Sequence, residues 1–244
     1  YTLSGDTASA TASASAISTG ITGNVTIGAT AIGTIISVTS IEQSGFQGCT
    51  GVTGITIPTS VTTIGQSGFQ GCIALTGITI PTSVETINGN AFQNCIALRI
   101  ATFDGVTGTI APTTFEGCTG LTGINYNKVT YTLSGDTAAS ASAISTGITG
   151  SVTIGATAIG TIISVTSIKA SGFDEQTGLT SITIPNSVET IGASGFYKCT
   201  SLESITLSES LTTIGSNTFQ DCTGLNGITI PESVTTISNA AFAY

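Results

Sequence analysis

The chain has 244 residues, only 7% of them charged, and it contains no histidine, methionine or tryptophan. Thirteen acidic residues outweigh four scattered basic ones, Arg99, Lys128, Lys169 and Lys198, and give a formal charge of −9. Nucleic-acid binding needs clustered Lys and Arg to displace counterions, so this composition excludes that class. No uninterrupted apolar run approaches the ~20 residues of a spanning helix, so no membrane span is predicted.

The chain opens with an irregular segment that returns later. The phrase YTLSGDTA begins at Tyr1 and again at Tyr131, and residues 21–41 return at 148–168 with Asn24 replaced by Ser151. The Ser-Gly-Asp sequence in this phrase predicts a turn between two strands. The Ala/Ser alternation of residues 137–145 fits a strand of small residues at the same place in the second copy better than a disordered linker, although composition alone is compatible with either.

These copies predict two repeat blocks, 1–130 and 131–244. Each begins with its irregular opening segment, 1–41 or 131–168, and continues with regular 23-residue coils. We expect the two blocks to form one continuous solenoid.

Three apolar columns recur every 23 residues within each block. Phenylalanine leads, cysteine follows three residues later, and Leu or Val follows after three more. The first two columns, which we predict to form the structural core, are Phe46, Phe69, Phe92, Phe115, Phe173, Phe196, Phe219 and Phe242, with Cys49, Cys72, Cys95, Cys118, Cys199 and Cys222. Gln176 stands in the cysteine column behind Phe173. A coil with one apolar side must stack on similar neighbours, so the pattern indicates a solenoid.

The sequence of one coil predicts two strands and a turn. The segment GITIP at 54–58 alternates Ile and Thr, which predicts a strand with one buried face, and its proline ends the ladder. Val61 and Ile64 predict a second, short strand. Phe69, Cys72 and Leu75 are spaced i, i+3 and i+6, which predicts a short helical or 3₁₀ turn facing the core.

The pattern F-x-x-C-x-x-L-x-x-I-T-I-P-x-S-V-x-x-I-G resembles the BspA-like leucine-rich repeat, a 23-residue class of microbial surface proteins, over nearly the whole chain. Two coils depart from it: Asp104 and Thr107 stand where proline and valine belong, and Ser208 replaces another proline. The resemblance implies a β-rich, right-handed leucine-rich-repeat coil with a parallel sheet, a short second strand and 3₁₀ turns. It also implies an extracellular or cell-surface location.

The cysteine spacing does not fit a metal or redox site. Zinc sites and redox motifs use CxxC or Cys/His spacing, so no metal ligand is predicted. Side chains on coils stacked about 4.8 Å apart keep their Cβ atoms near that separation, whereas a disulfide needs about 3.8 Å. We therefore expect buried free thiols rather than bridges, and Gln176 indicates that one coil tolerates the loss of sulfur.

No catalytic residue and no cofactor are predicted. There is no histidine to act as a general base and no glycine loop leading into a long helix. The carboxylates Asp6, Asp136, Asp174 and Glu175 lie on predicted turns, where solvated acids are usual. Residues 24–26 form the glycosylation sequon Asn-Val-Thr, a triplet that is common by chance.

The threonine of each Ile-Thr-Ile strand points away from the core. These residues form a file about 4.8 Å apart along the sheet face and are the candidate binding face: Thr56, Thr79, Thr102, Thr183, Thr206 and Thr229. Threonine is also simply a good exposed strand residue, and we favour that interpretation.

We expect a non-catalytic structural or adhesive surface protein. The partner would be a protein or glycan on a host or neighbouring cell, or further copies of the chain stacked end to end into a filament. Ice or glycan binding by the threonine file is the alternative. Neither end carries a polar cap and the chain does not begin with methionine, so we also expect an excerpt of a longer array or a stacking subunit.

Overall fold

The computed structural model describes residues 2–4, 11–14, 20–30, 37–103, 109–126, 128–134, 138–143, 147–156 and 164–244. Asp6, Asp104, Thr107 and Asp136 lie outside these residues. The described residues divide into two compact units, one ending at Tyr126 and the other containing the described residues that follow. Each unit is a β-solenoid.

The first unit combines a hairpin with parallel strands. Its strands are β1 (Thr2–Ser4), β2 (Thr11–Ala14), β3 (Thr22–Thr26), β4 (Val38–Ile41), β5 (Gly51–Thr56), β6 (Thr63–Ile64), β7 (Gly77–Ile80), β8 (Thr86–Ile87), β9 (Ile100–Phe103), β10 (Thr109–Ile110) and β11 (Gly123–Tyr126). Strands β1 and β2 are antiparallel, and β2, β4, β6, β8 and β10 continue that sheet in parallel. The Ile-Thr-Ile strands form the other face as β3–β5 and β7–β9–β11.

The second unit repeats this plan. Its strands are β12 (Val129–Ser134), β13 (Ala138–Ala143), β14 (Thr149–Thr153), β15 (Ser164–Ile168), β16 (Gly178–Thr183), β17 (Thr190–Ile191), β18 (Ser204–Thr206), β19 (Thr213–Ile214) and β20 (Thr236–Ile237). The antiparallel pair β12–β13 bears out the strand of small residues, whereas the turn predicted between the two strands falls at residues 135–137, outside the described residues. Strands β13, β15, β17, β19 and β20 form one parallel sheet, and β14, β16 and β18 form the other.

The turn after each short strand is not helical, so the predicted 3₁₀ turn is wrong. Ser67 and Gly71 have φ values of 55° and 72°, and such left-handed residues interrupt any helix. This backbone directs three N–H groups toward the next coil, where they donate to carbonyl oxygens at 2.8–3.2 Å. Gly, Asn or Asp stands two residues after phenylalanine in five of the seven coils with this conformation, which these residues tolerate best, and Glu175 and Lys198 adopt it in the other two.

The phenylalanine column is a continuous stack within each unit. Neighbouring rings lie 5.1–5.6 Å apart between centroids in the first unit and 5.3–5.5 Å apart in the second. Seven of the eight rings are buried, and Phe242 in the last coil is half-buried. The stack contributes offset aromatic contacts in addition to the burial of apolar surface.

All six cysteines are buried free thiols. Each of Cys72, Cys95, Cys118, Cys199 and Cys222 donates from Sγ to the carbonyl oxygen of the phenylalanine one coil earlier, at 3.0–3.2 Å. The pKa of Cys95 lies far above its usual value because its thiol is hydrogen-bonded to Cys118 and Cys72 and because burial disfavours the thiolate. The pKa of Cys199 is raised in the same way, by Cys222 and by burial.

Gln176 does more than occupy the cysteine column. Its side chain is 3% exposed, and its Oε1 accepts the backbone N–H of Ile148 at 2.9 Å. Its Nε2 donates to the carbonyl oxygen of Asp174 at 3.2 Å. The amide thus bonds two backbone groups at the first regular coil of the second unit.

Candidate binding face

Five of the predicted threonines lie on strands of the sheet face of their own unit, whereas Thr229 lies in a segment, residues 227–230, where the predicted Ile-Thr-Ile strand is not formed. Thr56, Thr79, Thr183, Thr206 and Thr229 are exposed and Thr102 is half-buried. In the first unit Thr26 pairs with Thr56, and Thr79 pairs with Thr102, in parallel ladders. In the second unit Thr153, Thr183 and Thr206 are consecutive partners. The residues therefore form two files, one in each unit.

A row of contrasting side chains runs beside the threonine file of the first unit. Two residues before each threonine stand Asn24, Gly54, Gly77 and Ile100 in succession. Asn24 pairs with Gly54, and Gly77 pairs with Ile100. Two glycines thus stand between an amide side chain and an isoleucine that is 48% exposed. We call this arrangement the glycine trough.

The trough forms part of a cavity of about 710 Å³ on the sheet face. The lining includes the hydroxyls of Thr26, Thr56, Thr79 and Thr102, the amide of Asn24, Pro81 and four isoleucines, and no charged residue. A volume of this size lies within the range of ligand sites. The face can therefore offer hydrogen bonds and aliphatic contact to an uncharged group.

The sheet opens beside the trough. Among the described strands, β5 pairs with β3 and β7 pairs with β9, but no ladder joins β5 to β7. On this face one backbone bond, from Thr76 N–H to Thr53 O at 3.2 Å, links the two coils just before β7 begins, while the β6–β8 ladder joins them on the other sheet. Ile55 is only half-buried and lines the cavity.

Asn24 closes one end of the trough by leaning over Gly54. Its Oδ1 accepts a hydrogen bond from Thr53 Oγ1 at 3.2 Å. A Cβ atom added to Gly54 would lie 2.5 Å from Asn24 Oδ1, so the Asn24 side chain would have to turn away from this position. The position of the Asn24 amide therefore relies on the absence of a side chain at Gly54.

The second unit fills the corresponding positions with hydroxyl side chains. Ser151 and Ser181 replace Asn24 and Gly54, and Ser181 Oγ donates to Ser151 Oγ at 2.7 Å. Ser204 replaces Gly77, and Gly227 replaces Ile100. Strands β14, β16 and β18 pair without a break between β16 and β18. This face has neither the glycine floor nor the isoleucine wall.

The sequence profile described as BspA type leucine rich repeat region matches residues 39–158 and 152–244, in six copies. Together these segments cover most of the chain. The chain belongs to this family. The resemblance stated from the repeat pattern is therefore confirmed, as is a parallel leucine-rich-repeat solenoid with a short second strand.

Several solved structures are similar to this BspA-type protein. A leucine rich cell surface protein of Faecalibacterium prausnitzii is 29% identical over 91% of this chain and 51% of that one, with a TM-score of 0.43. A leucine-rich repeat protein of Bacteroides capillosus is 31% identical over 48% of this chain and 88% of that one, with a TM-score of 0.42. A Treponema pallidum leucine rich repeat protein is 21% identical over 93% and 78%, with a TM-score of 0.33. The chain spans about half of the Faecalibacterium protein. No curated protein matches it.

Two kinds of site are not found in the described part of this BspA-type chain. No group of three or more Cys, Asp or Glu side chains there could hold a metal ion. No helix there has the length and apolar character needed to cross a membrane.

Sequence reasoning found the threonines but missed the trough. Gly54 was assigned only to a strand, and Asn24 was considered only as part of a sequon. The available signal was the row two residues before each threonine, where Asn24 and Ile100 flank two glycines while the second block has three serines and a glycine.

Proposed function

We propose that this BspA-type chain is a non-catalytic, cell-surface attachment module that binds a macromolecular partner on a host or neighbouring cell. The observation that carries the proposal is the uncharged cavity of about 710 Å³ on the threonine face of the first unit. Solenoids of stacked repeats use such extended faces for binding. The partner contacts the hydroxyls of Thr56 and Thr79 and the aliphatic side chains around them.

The scarcity of charge supports a specific contact rather than electrostatic adsorption. Only 7% of residues are charged, and none lines the cavity. Attachment through this face should therefore depend weakly on salt, since screening acts on charge–charge attraction. End-to-end stacking into filaments remains a prediction of the sequence.

A bead-attachment assay tests the proposal. Beads coated with the full chain are counted on epithelial monolayers, and Thr79→Arg places a long cation in the cavity. We expect attachment to fall by about tenfold or more, as for the loss of a central contact. Thr206→Arg, at the corresponding exposed position of the second unit, is the matched control and should attach like the wild type. Equal attachment by all three proteins would overturn the proposal.

A further inference from the structure

The glycine trough can admit a backbone at close range. Glycine inside a strand lowers the stability of the fold and often marks a place where a ligand or another backbone comes close. At Gly77 an added Cβ would meet only the Ile100 carbonyl oxygen, at 3.8 Å. The floor at Gly77 is therefore open space above the sheet rather than a site of tight internal packing.

The lining of the trough selects against charge. Its polar groups are hydroxyls and one amide, and its remaining side chains are aliphatic. A charged group brought into such a site would lose water without gaining an opposite charge, which is costly. An occupant with uncharged side chains avoids this cost.

The size of the trough sets the length of its occupant. Asn24 and Ile100 stand three strand positions apart, which is about 14 Å at the ~4.8 Å spacing of strands. An extended chain covers about 3.3 Å per residue, so a segment of about four residues reaches from one wall to the other, with its middle over the open floor at Gly77.

Backbone groups beside the trough favour a peptide over a carbohydrate. Apart from the bond from Thr76 N–H to Thr53 O, no ladder hydrogen bond joins the facing edges of β5 and β7, and residues of both strands line the cavity. A peptide that crosses these strands offers both N–H donors and C=O acceptors to their backbone and needs only a shallow floor.

We propose that the glycine trough binds an extended, uncharged peptide segment of about four residues on the partner. This inference rests on the proposed attachment function for the identity of the partner. It adds the chemical class of what is bound and confines the binding to one of the two units.

The test uses the full chain and a defined peptide library. The probe is a set of capped hexapeptides of Gly, Ala, Ser, Thr, Val and Ile, with a second set in which one central residue is Glu or Lys. Affinity selection with mass spectrometry measures retention. We expect the uncharged set to be retained, and the charged set to be retained about tenfold less.

Two tyrosine variants make the test specific. Gly77→Tyr fills the trough and should reduce retention by about tenfold or more. Gly227→Tyr is the control, because an added Cβ there meets nothing within 4 Å and the residue lies in the second unit. Circular dichroism should show that both variants fold.

Several outcomes would overturn the inference. These are no retention of uncharged peptides by the wild type, retention unaffected by Gly77→Tyr, and equal loss in both variants. Retention of chitohexaose instead of peptides, abolished by Gly77→Tyr, would also overturn it because the occupant would be a glycan.

Comparison with the bead assay separates the two proposals. Peptide retention without bead attachment would remove the attachment function and leave the peptide site. If Thr79→Arg abolishes bead attachment and no peptide is retained by the wild type, the attachment function would stand and the peptide site would be removed.

Discussion

The two units share one interior and differ on one face. Phe69 and Phe196 occupy equivalent places in nearly equivalent stacks, and both are fully buried. On the sheet face, by contrast, Asn24 and Gly54 of the first unit correspond to the hydrogen-bonded serines 151 and 181 of the second. The comparison shows that the inward columns define the coil, while residues facing solvent are free to build a site in one copy and a plain surface in the other.

The largest expected effect tests the shared interior. Phe69→Ala and Phe196→Ala each remove a fully buried ring stacked on two neighbours, so each should cost about 3–5 kcal/mol of unfolding free energy. Urea denaturation followed by circular dichroism measures both. A large cost in only one of the variants would show that the two cores are not equivalent.

The buried thiols should make both units less stable in alkali. The folded-state pKa values of Cys95 and Cys199 are raised, so the unfolded chain ionises first, and stability is lost as pH rises above the unfolded value of about 8.5. Cys95 and Cys199 should each cost about 1 kcal/mol of unfolding free energy between pH 8.5 and 9.5, or about 2 kcal/mol together, and about 1.4 kcal/mol each per further pH unit.

Urea midpoints at several pH values measure this effect. Cys95→Ala and Cys199→Ala should each weaken the pH dependence by a similar amount. A stability independent of pH would contradict the raised pKa values. Alkylation of unfolded, unreduced protein should label all six cysteines, and a lower number would show that some are bridged.

A smaller loss of unfolding free energy is expected on substitution of Gln176, which stands in the cysteine column of the second unit. Gln176→Leu removes the acceptor of the Ile148 N–H, and an unpaired buried donor costs about 1–3 kcal/mol. Thr177→Val is the control, since Thr177 is exposed. A Gln176→Leu variant as stable as the wild type would mean that water or another group satisfies Ile148.

The sequence predicts the interior well because a repeated column must face one way. The phenylalanine, cysteine and leucine positions follow from spacing alone, whereas the antiparallel strands at the start of each block follow from the Ser-Gly-Asp sequence and from the family resemblance. The turn geometry does not, because i, i+3 spacing fits a helical turn as well as a turn with left-handed residues such as Ser67. Only the Gly, Asn and Asp residues two positions after several of the phenylalanines indicate the difference.

The site is less predictable than the fold. The outward direction of Thr56 and Thr79 follows from strand alternation, but the gap between β5 and β7 does not, because their sequences predict the same register as their neighbours. The hydrogen bond from Ser60 Oγ to the carbonyl oxygen of Val38 could not be predicted from the sequence of one coil either, because it joins residues that are 22 positions apart.

The smallest expected effect tests the energetic coupling between Asn24 and Gly54. Gly54→Ser alone brings a Cβ against Asn24 Oδ1 and should cost about 1 kcal/mol. The double variant Asn24→Ser, Gly54→Ser reproduces the serine pair of the second unit and should recover most of that loss. Double-mutant analysis of urea midpoints measures the coupling. Strictly additive effects would show that the two positions do not depend on each other.

Photo-crosslinking on intact cells tests most directly whether the first unit alone carries the binding face. Benzoylphenylalanine is placed at position 79 or, as the matched control, at position 206, and the chain is irradiated on epithelial cells. We predict a crosslinked product from position 79, removed by excess wild-type protein, and none from position 206. Equal yields from the two positions, or a product from position 206 alone, would contradict the account.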